Sequence, residues 1–203
     1  KAVRQKQPEL IVVDRDVLGE QQNYLTPEQR IPEKGLSYPW ETCMTMGNSW
    51  SYVPNDTYKP TKEIIQKLVD IVSKGGNYLL NIGPGPDGEF DTIAYQRLKE
   101  IGAWIKINGE AIYGSRMFNV FGEGDSVRFT QSKNGRTKYI FLMDFPQGNQ
   151  LITTMPFSKT TKVKMIGTSS SLLWKPTNGG VMITIPNHLK SSINYVWVLK
   201  VVD

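Results

Sequence analysis

Two glutamates, an arginine and a tryptophan make the most chemically suggestive stretch of this sequence. Glu28 sits among turn residues in Leu25-Thr26-Pro27-Glu28-Gln29-Arg30-Ile31-Pro32. Glu41 follows in Tyr38-Pro39-Trp40-Glu41-Thr42-Cys43-Met44-Thr45, a polar-aromatic run that reads as a strand. Trp50 lies just beyond it, and Arg15 just past an earlier apolar run. Carboxylates, a guanidinium and aromatic rings converging at strand ends are equipment for handling a sugar. One carboxyl protonates a glycosidic oxygen, a second carboxylate supports the anomeric carbon, and aromatic faces cover the apolar side of the ring. A plainer reading makes the glutamates surface carboxylates and the tryptophans core. Residue types alone leave both open, and Arg15 is equally able to pair with Asp14 or Asp16.

The elements that would position these residues follow from periodicity. Ala2 to Gln7 reads as the end of a helix closed by Pro8, whose ring disfavours helical geometry in the residue before it. Glu9-Leu10-Ile11-Val12-Val13-Asp14 reads as a strand buried on both faces. After the Tyr38–Thr45 strand and a polar loop, Pro60-Thr61 opens a helix with Thr61 as N-cap. Ile64, Ile65, Leu68, Val69 and Val72 recur there at helical spacing, and Gly75-Gly76 ends it. Asn77–Ile82 is a third strand. A second helix runs from Asp91 to about Asn108, with Ile93, Leu98, Ile101, Trp104 and Ile105 on one side. This alternation implies parallel strands joined by helical crossovers. Beyond Phe118 come short alternating segments at 127–130, 139–143, 151–154, 163–166, 172–174, 181–185 and 195–201. Turn signals such as Asn134-Gly135 separate them, which indicates an antiparallel sandwich. The boundary falls between Gly114 and Phe118, giving units 1–116 and 117–203.

Other signals exclude more than they assign. Gly83-Pro84-Gly85-Pro86-Asp87-Gly88 satisfies a dinucleotide-binding spacing, but Pro84 and Pro86 have no N–H to offer a pyrophosphate, so it is a tight turn. With one cysteine (Cys43) and one histidine (His188) there is no intrachain disulfide, and a zinc site or other metal centre is not expected. His188 reads as a turn residue, and Trp174 and Trp197 as core. Asn55-Asp56-Thr57 is formally a glycosylation sequon. Fourteen basic and fifteen acidic side chains fall in residues 1–117, against ten and four in 118–203. The basic residues of the second part are scattered singly, which describes a solvated surface and no nucleic-acid partner. No apolar run approaches the ~20 residues of a membrane span. The sequence opens with neither a signal-peptide pattern nor an initiating methionine, as expected of a stretch beginning within a domain.

Three runs, Thr-Pro-Glu-Gln with Ile31-Pro32, then WETCMTMGNSWSY, then LVDIVSKGGNYLLNIGPGPDG, carry a resemblance in this order and spacing. Together they resemble the C-terminal half of a retaining alpha-L-fucosidase of glycoside hydrolase family 29, closely from Pro8 to Tyr113 and more loosely beyond. The resemblance implies the C-terminal part of a (β/α)8-type, TIM-like barrel followed by an antiparallel β-sandwich. It places the general acid/base on Glu28, a donor near the endocyclic oxygen of fucose on Arg15, and a ring packing against the C6 methyl on Trp50. Glu41 is a supporting carboxylate or a rival acid. The family's nucleophilic aspartate precedes the matching region, as do further sugar-binding histidines and tryptophans. The implied partners are a fucosylated glycan or glycoside and the N-terminal half of the barrel, with no metal or organic cofactor. The 203 residues alone are expected to be inactive. A periplasmic, secreted or lysosomal setting goes with the resemblance. The competing expectation is a non-catalytic carbohydrate-binding or scaffold module.

Overall fold

The computed structural model describes residues 2–15, 19–192 and 195–203. A short helix, α1 (Ala2–Lys6), leads into an extended segment. The doubly buried strand expected at Glu9–Asp14 is not formed there. Val13 makes one parallel bridge to Tyr24, and Ile11 is 70% exposed. The flanking chain supplies ladder bonds only through Asn23 N to Val12 O and Asp14 N to Tyr24 O. The next segment, from Tyr24 to Gln29, runs parallel to β1 (Glu41–Thr45), with bridges from Leu25 to Trp40 and from Glu28 to Cys43. Pro27 between them has no N–H to give, which keeps this ladder from becoming continuous. β1 pairs in parallel with β2 (Asn77–Asn81), from Glu41 opposite Asn77 to Thr45 opposite Asn81. Four extended segments thus lie side by side in one direction.

The crossover between β1 and β2 is α2 (Thr61–Ser73), and α3 (Thr92–Asn108) follows β2. The apolar stripe of α2 faces inward as its spacing demands, with Ile64, Ile65 and Val69 each almost fully buried. Thr61, expected as N-cap, is instead the first helical residue. Pro60 takes the capping position in extended geometry, and the Thr61 hydroxyl is free to donate to Glu100 on α3.

Eight antiparallel strands complete the chain: β3 (Ser115–Glu123), β4 (Val127–Ser132), β5 (Thr137–Leu142), β6 (Gln150–Thr153), β7 (Lys162–Met165), β8 (Ser171–Thr177), β9 (Gly180–Thr184) and β10 (Trp197–Val202). They form one sheet in the order β3-β4-β5-β10-β7-β8-β9-β6. Seven were legible as alternating segments. β3 was not, because its register slips between Met117 and Gly122 and the bulge destroys the two-residue period. The sheet curls, so that Thr154 N, just past the edge strand β6, donates to Glu123 Oε1 at the end of the opposite edge strand β3 (2.8 Å). Phe129, Ile140, Val163, Ile183 and Leu199, which share one face of the sheet, fill the inside of the curl. This core continues without a break into Ile65 and Val69 of α2 and Trp104 of α3, whose indole N–H donates to Val196 O (2.9 Å).

Candidate active site

Backbone pairing puts Glu28 beside Cys43 in the middle of β1, since Gln29 N also donates to Cys43 O (2.9 Å). Arg15 and Gln29, on either side of the pair described next, adopt φ values of 47° and 52°. That left-handed region is sparsely used by residues with a side chain, and such residues gather at sites where the surroundings over-determine the backbone. Asp14, 8% exposed, fixes the approach to Glu28. Its Oδ1 accepts from both Thr26 N and Thr26 Oγ1 (2.8 Å each). Asp14 is therefore engaged with Thr26, and the Arg15 guanidinium goes to Glu28 Oε2 (3.3 Å). Asp16 lies outside the described residues. Both members of the pair reach solvent, with side chains 62% and 38% exposed. A guanidinium beside a carboxyl on an open rim can orient a ligand oxygen and deliver a proton to it.

Trp50 is 41% exposed and lines a cavity of about 430 Å³ with Cys43, Leu79, Leu80, Asn81, Ile82 and Phe90. Cys43 joins the two halves of the arrangement, because it pairs with Glu28 along the backbone and lines the Trp50 cavity. Glu41 stands at the start of β1 and opens onto a different cavity, with Pro39, Asn77 and residues of α2. Its neighbour Trp40 is core, 1% exposed, with its indole donating to Lys74 O (3.3 Å). Arg15 and Glu28 are thus in contact, while Glu41 and Trp50 face separate spaces. Trp197 is buried, Trp174 is half-buried against the edge of Phe157, and His188 sits in a 3-10 turn at Asn187–Ser192.

Residue types gave no hint of two side chains that hold the Trp50 loop. Asp56 accepts backbone N–H groups from residues 48, 49 and 57. Lys59 Nζ donates to Thr45 O and Gly47 O (2.7 Å each), and burial pulls its pKa below the usual lysine range. Next to it, the Tyr58 hydroxyl donates to Asp91 (2.9 Å), and burial together with that carboxylate pushes its pKa up to about 12. Asp56 and Lys59 act on main-chain atoms, so only the folded path of the loop identifies them. Among the described residues, no group of three or more His, Cys, Asp or Glu side chains could hold a metal ion. No helix among the described residues is long and apolar enough to cross a membrane.

Comparison with known proteins agrees with this architecture. Residues 1–110 match the family model for alpha-L-fucosidase, and residues 123–202 match that for the alpha-L-fucosidase C-terminal domain. Both models describe glycosidases. The chain belongs to the alpha-L-fucosidase family. Tissue alpha-L-fucosidase of Bos taurus is 36% identical over 180 residues, covering 83% of this chain and 38% of the bovine protein. The crystal structure of Thermotoga maritima alpha-fucosidase in complex with fucose superposes with a TM-score of 0.81 at 28% identity, covering 99% of this chain and 47% of that one. A family 29 enzyme of Bacteroides thetaiotaomicron, solved as a trapped covalent intermediate, gives 0.73 at 27% identity, over 89% of this chain and 43% of that one. The chain spans less than two fifths of the length of its bovine relative.

Proposed function

We propose that these residues carry the acid/base share of a retaining exo-alpha-L-fucosidase whose nucleophile is supplied by another part of the polypeptide. Residues 1–116 form the C-terminal portion of its (β/α)8-type barrel, with the four parallel segments as successive strands, and residues 117–203 form the accompanying sandwich. The observation that carries this reading is the Arg15–Glu28 contact at 3.3 Å, built on the segment that pairs with β1. Glu28 protonates the departing glycosidic oxygen while an aspartate attacks the anomeric carbon. It then takes a proton from water so that the glycosyl-enzyme ester is hydrolysed with retained configuration. Arg15 cannot lose its charge and offers paired donors to the ring oxygen region. Trp50 covers the methyl corner that distinguishes a 6-deoxy sugar. Glu41 is a supporting carboxylate. The substrate is a fucosylated glycan or glycoside, and the 203 residues by themselves, without the aspartate, are inactive.

Leaving-group dependence in the complete polypeptide tests the assignment. Glu28→Gln should slow the hydrolysis of natural fucosides severely, because their leaving groups need a proton. Fucosylation of the enzyme by aryl fucosides with acidic phenols should be nearly spared. Equal losses on both substrates would remove Glu28 from the acid role.

A further inference from the structure

The segment bearing Trp50 is braced far more heavily than an exposed loop requires. β1 ends at Thr45, and Asp56 reaches back across the following turn. Its carboxylate accepts Asn48 N (3.0 Å), Ser49 N (3.2 Å) and Thr57 N (2.7 Å). A side chain on Gly47 would meet Asp56 Oδ2 at 2.3 Å, so a larger residue there would have to push the carboxylate off its backbone partners. From the other side Lys59 holds Thr45 O and Gly47 O, and its own backbone N donates to Met46 O (2.9 Å). Past Trp50 the chain is pressed against Gly83, where a Cβ would lie 2.4 Å from Tyr52 N. The main chain on both sides of Trp50 is therefore immobilised while the ring itself stays 41% exposed. A fixed, uncovered aromatic ring is a recognition element, since an ordered platform loses little freedom when a ligand arrives.

We propose that Asp56 is a positioning residue for Trp50, and that discrimination in favour of a 6-deoxy sugar depends on it. This rests on the reading of Trp50 as the platform for the C6 methyl. Asp56 touches no substrate and acts by holding residues 47–49 so that the ring meets the methyl corner. Lys59 shares the task from the opposite side.

The test uses the complete polypeptide and compares kcat/KM for an aryl alpha-L-fucoside with that for the matching alpha-L-galactoside, which adds a hydroxyl at C6. Trp50→Ala should lower the fucoside preference by roughly tenfold or less, the range for one methyl contact. Asp56→Ala should lower it by a factor no larger than that of Trp50→Ala, and Asp56→Asn, which keeps an acceptor oxygen, should recover most of it. The double variant Trp50→Ala/Asp56→Ala should have the preference of Trp50→Ala alone, because the two residues act as one unit. If Trp50→Ala lowers the preference while Asp56→Ala and Asp56→Asn leave it at the parent value, the proposal is overturned and Asp56 only stabilises the loop. If Trp50→Ala itself leaves the preference at the parent value, the platform reading fails, and the role given to Asp56 falls with it.

Discussion

At the scale of single residues, the Arg15–Glu28 pair has the geometry of a surface salt bridge, and the role proposed for it is chemical rather than structural. Exposed ion pairs contribute only ~0–1 kcal/mol to stability, so this one is a poor device for holding the fold together. Arg15→Ala in the complete polypeptide should therefore shift thermal stability by less than about 1 kcal/mol. It should nevertheless reduce kcat/KM for fucosides by roughly tenfold or more, the value of a hydrogen bond to a charged group. A large stability loss with kcat/KM intact would reverse that assignment. Glu28, Arg15, Glu41 and Trp50 stood out as candidates because sugar chemistry calls for carboxyl, guanidinium and indole groups near strand ends, and the family resemblance supplied their proposed roles. Which of them meet was not legible. Asp14 and Asp16 looked ready to pair with Arg15, but Asp14 is taken up by Thr26 N and Oγ1 and the guanidinium goes to Glu28. Asp56 left no signal at all, because its partners are backbone N–H groups of the loop.

At the scale of elements, charged side chains fasten the helices to the sheet. Asp70 on α2 accepts from Lys74 (2.8 Å) and from Arg128 Nε on β4 (2.5 Å), and both cations also lie over the Phe121 ring. With Lys74 and Arg128 only 7% and 11% exposed at the side chain, Asp70→Ala leaves two buried cations without their counter-ion, although Arg128 still donates to Gly124 O and Val127 O. Removing one partner of a buried pair costs about 3–5 kcal/mol, against ~0.5 kcal/mol for Lys67→Ala in the exposed pair with Glu63. Urea denaturation of the two variants measures the contrast. Between α2 and α3, hydrogen bonds from Thr61 and Gln96 hold the Glu100 carboxyl below its usual range. A depressed acid stabilises the fold above its unfolded pKa of about 4.3 and loses that contribution as pH falls through the folded value. Stability at pH 3–4 should accordingly drop less steeply for Glu100→Gln than for the parent, and parallel pH profiles would show that Glu100 contributes nothing. Helix α2 was readable because its apolar stripe repeats every turn; α3 was found in its place, but of its expected stripe Trp104 is buried while Leu98 is 38% exposed. The segments at Glu9–Asp14 and Tyr24–Gln29 were harder, since strand formation depends on neighbours, and here a proline and short flanks limit them to isolated bridges.

At the scale of the whole molecule, the curled sheet is no loosely tethered appendage. Ile65, Val69, Trp104, Ala111 and Ile112 bury their side chains in the same core as the strands that follow. Ending the complete polypeptide after Tyr113 should therefore lower its solubility and midpoint of unfolding, while any fraction that folds keeps the Arg15–Glu28 contact. A soluble truncated protein of parental stability and weakened substrate affinity would make the sheet a binding domain instead. Composition pointed to two textures, parallel then antiparallel, and both are present. That they share one core was hidden, because burial across a boundary has no period in sequence. The role proposed for Glu28 is that of acid/base in a divided active centre. The most direct measurement is azide rescue of Glu28→Gln and Glu41→Gln in the complete polypeptide, with an aryl fucoside as donor. Azide attacks the accumulated glycosyl-enzyme without needing a base, so turnover of Glu28→Gln should be restored, the product should be a fucosyl azide of retained configuration, and Glu41→Gln should show no rescue. Rescue of Glu41→Gln and not of Glu28→Gln would contradict the account and exchange the roles of the two glutamates.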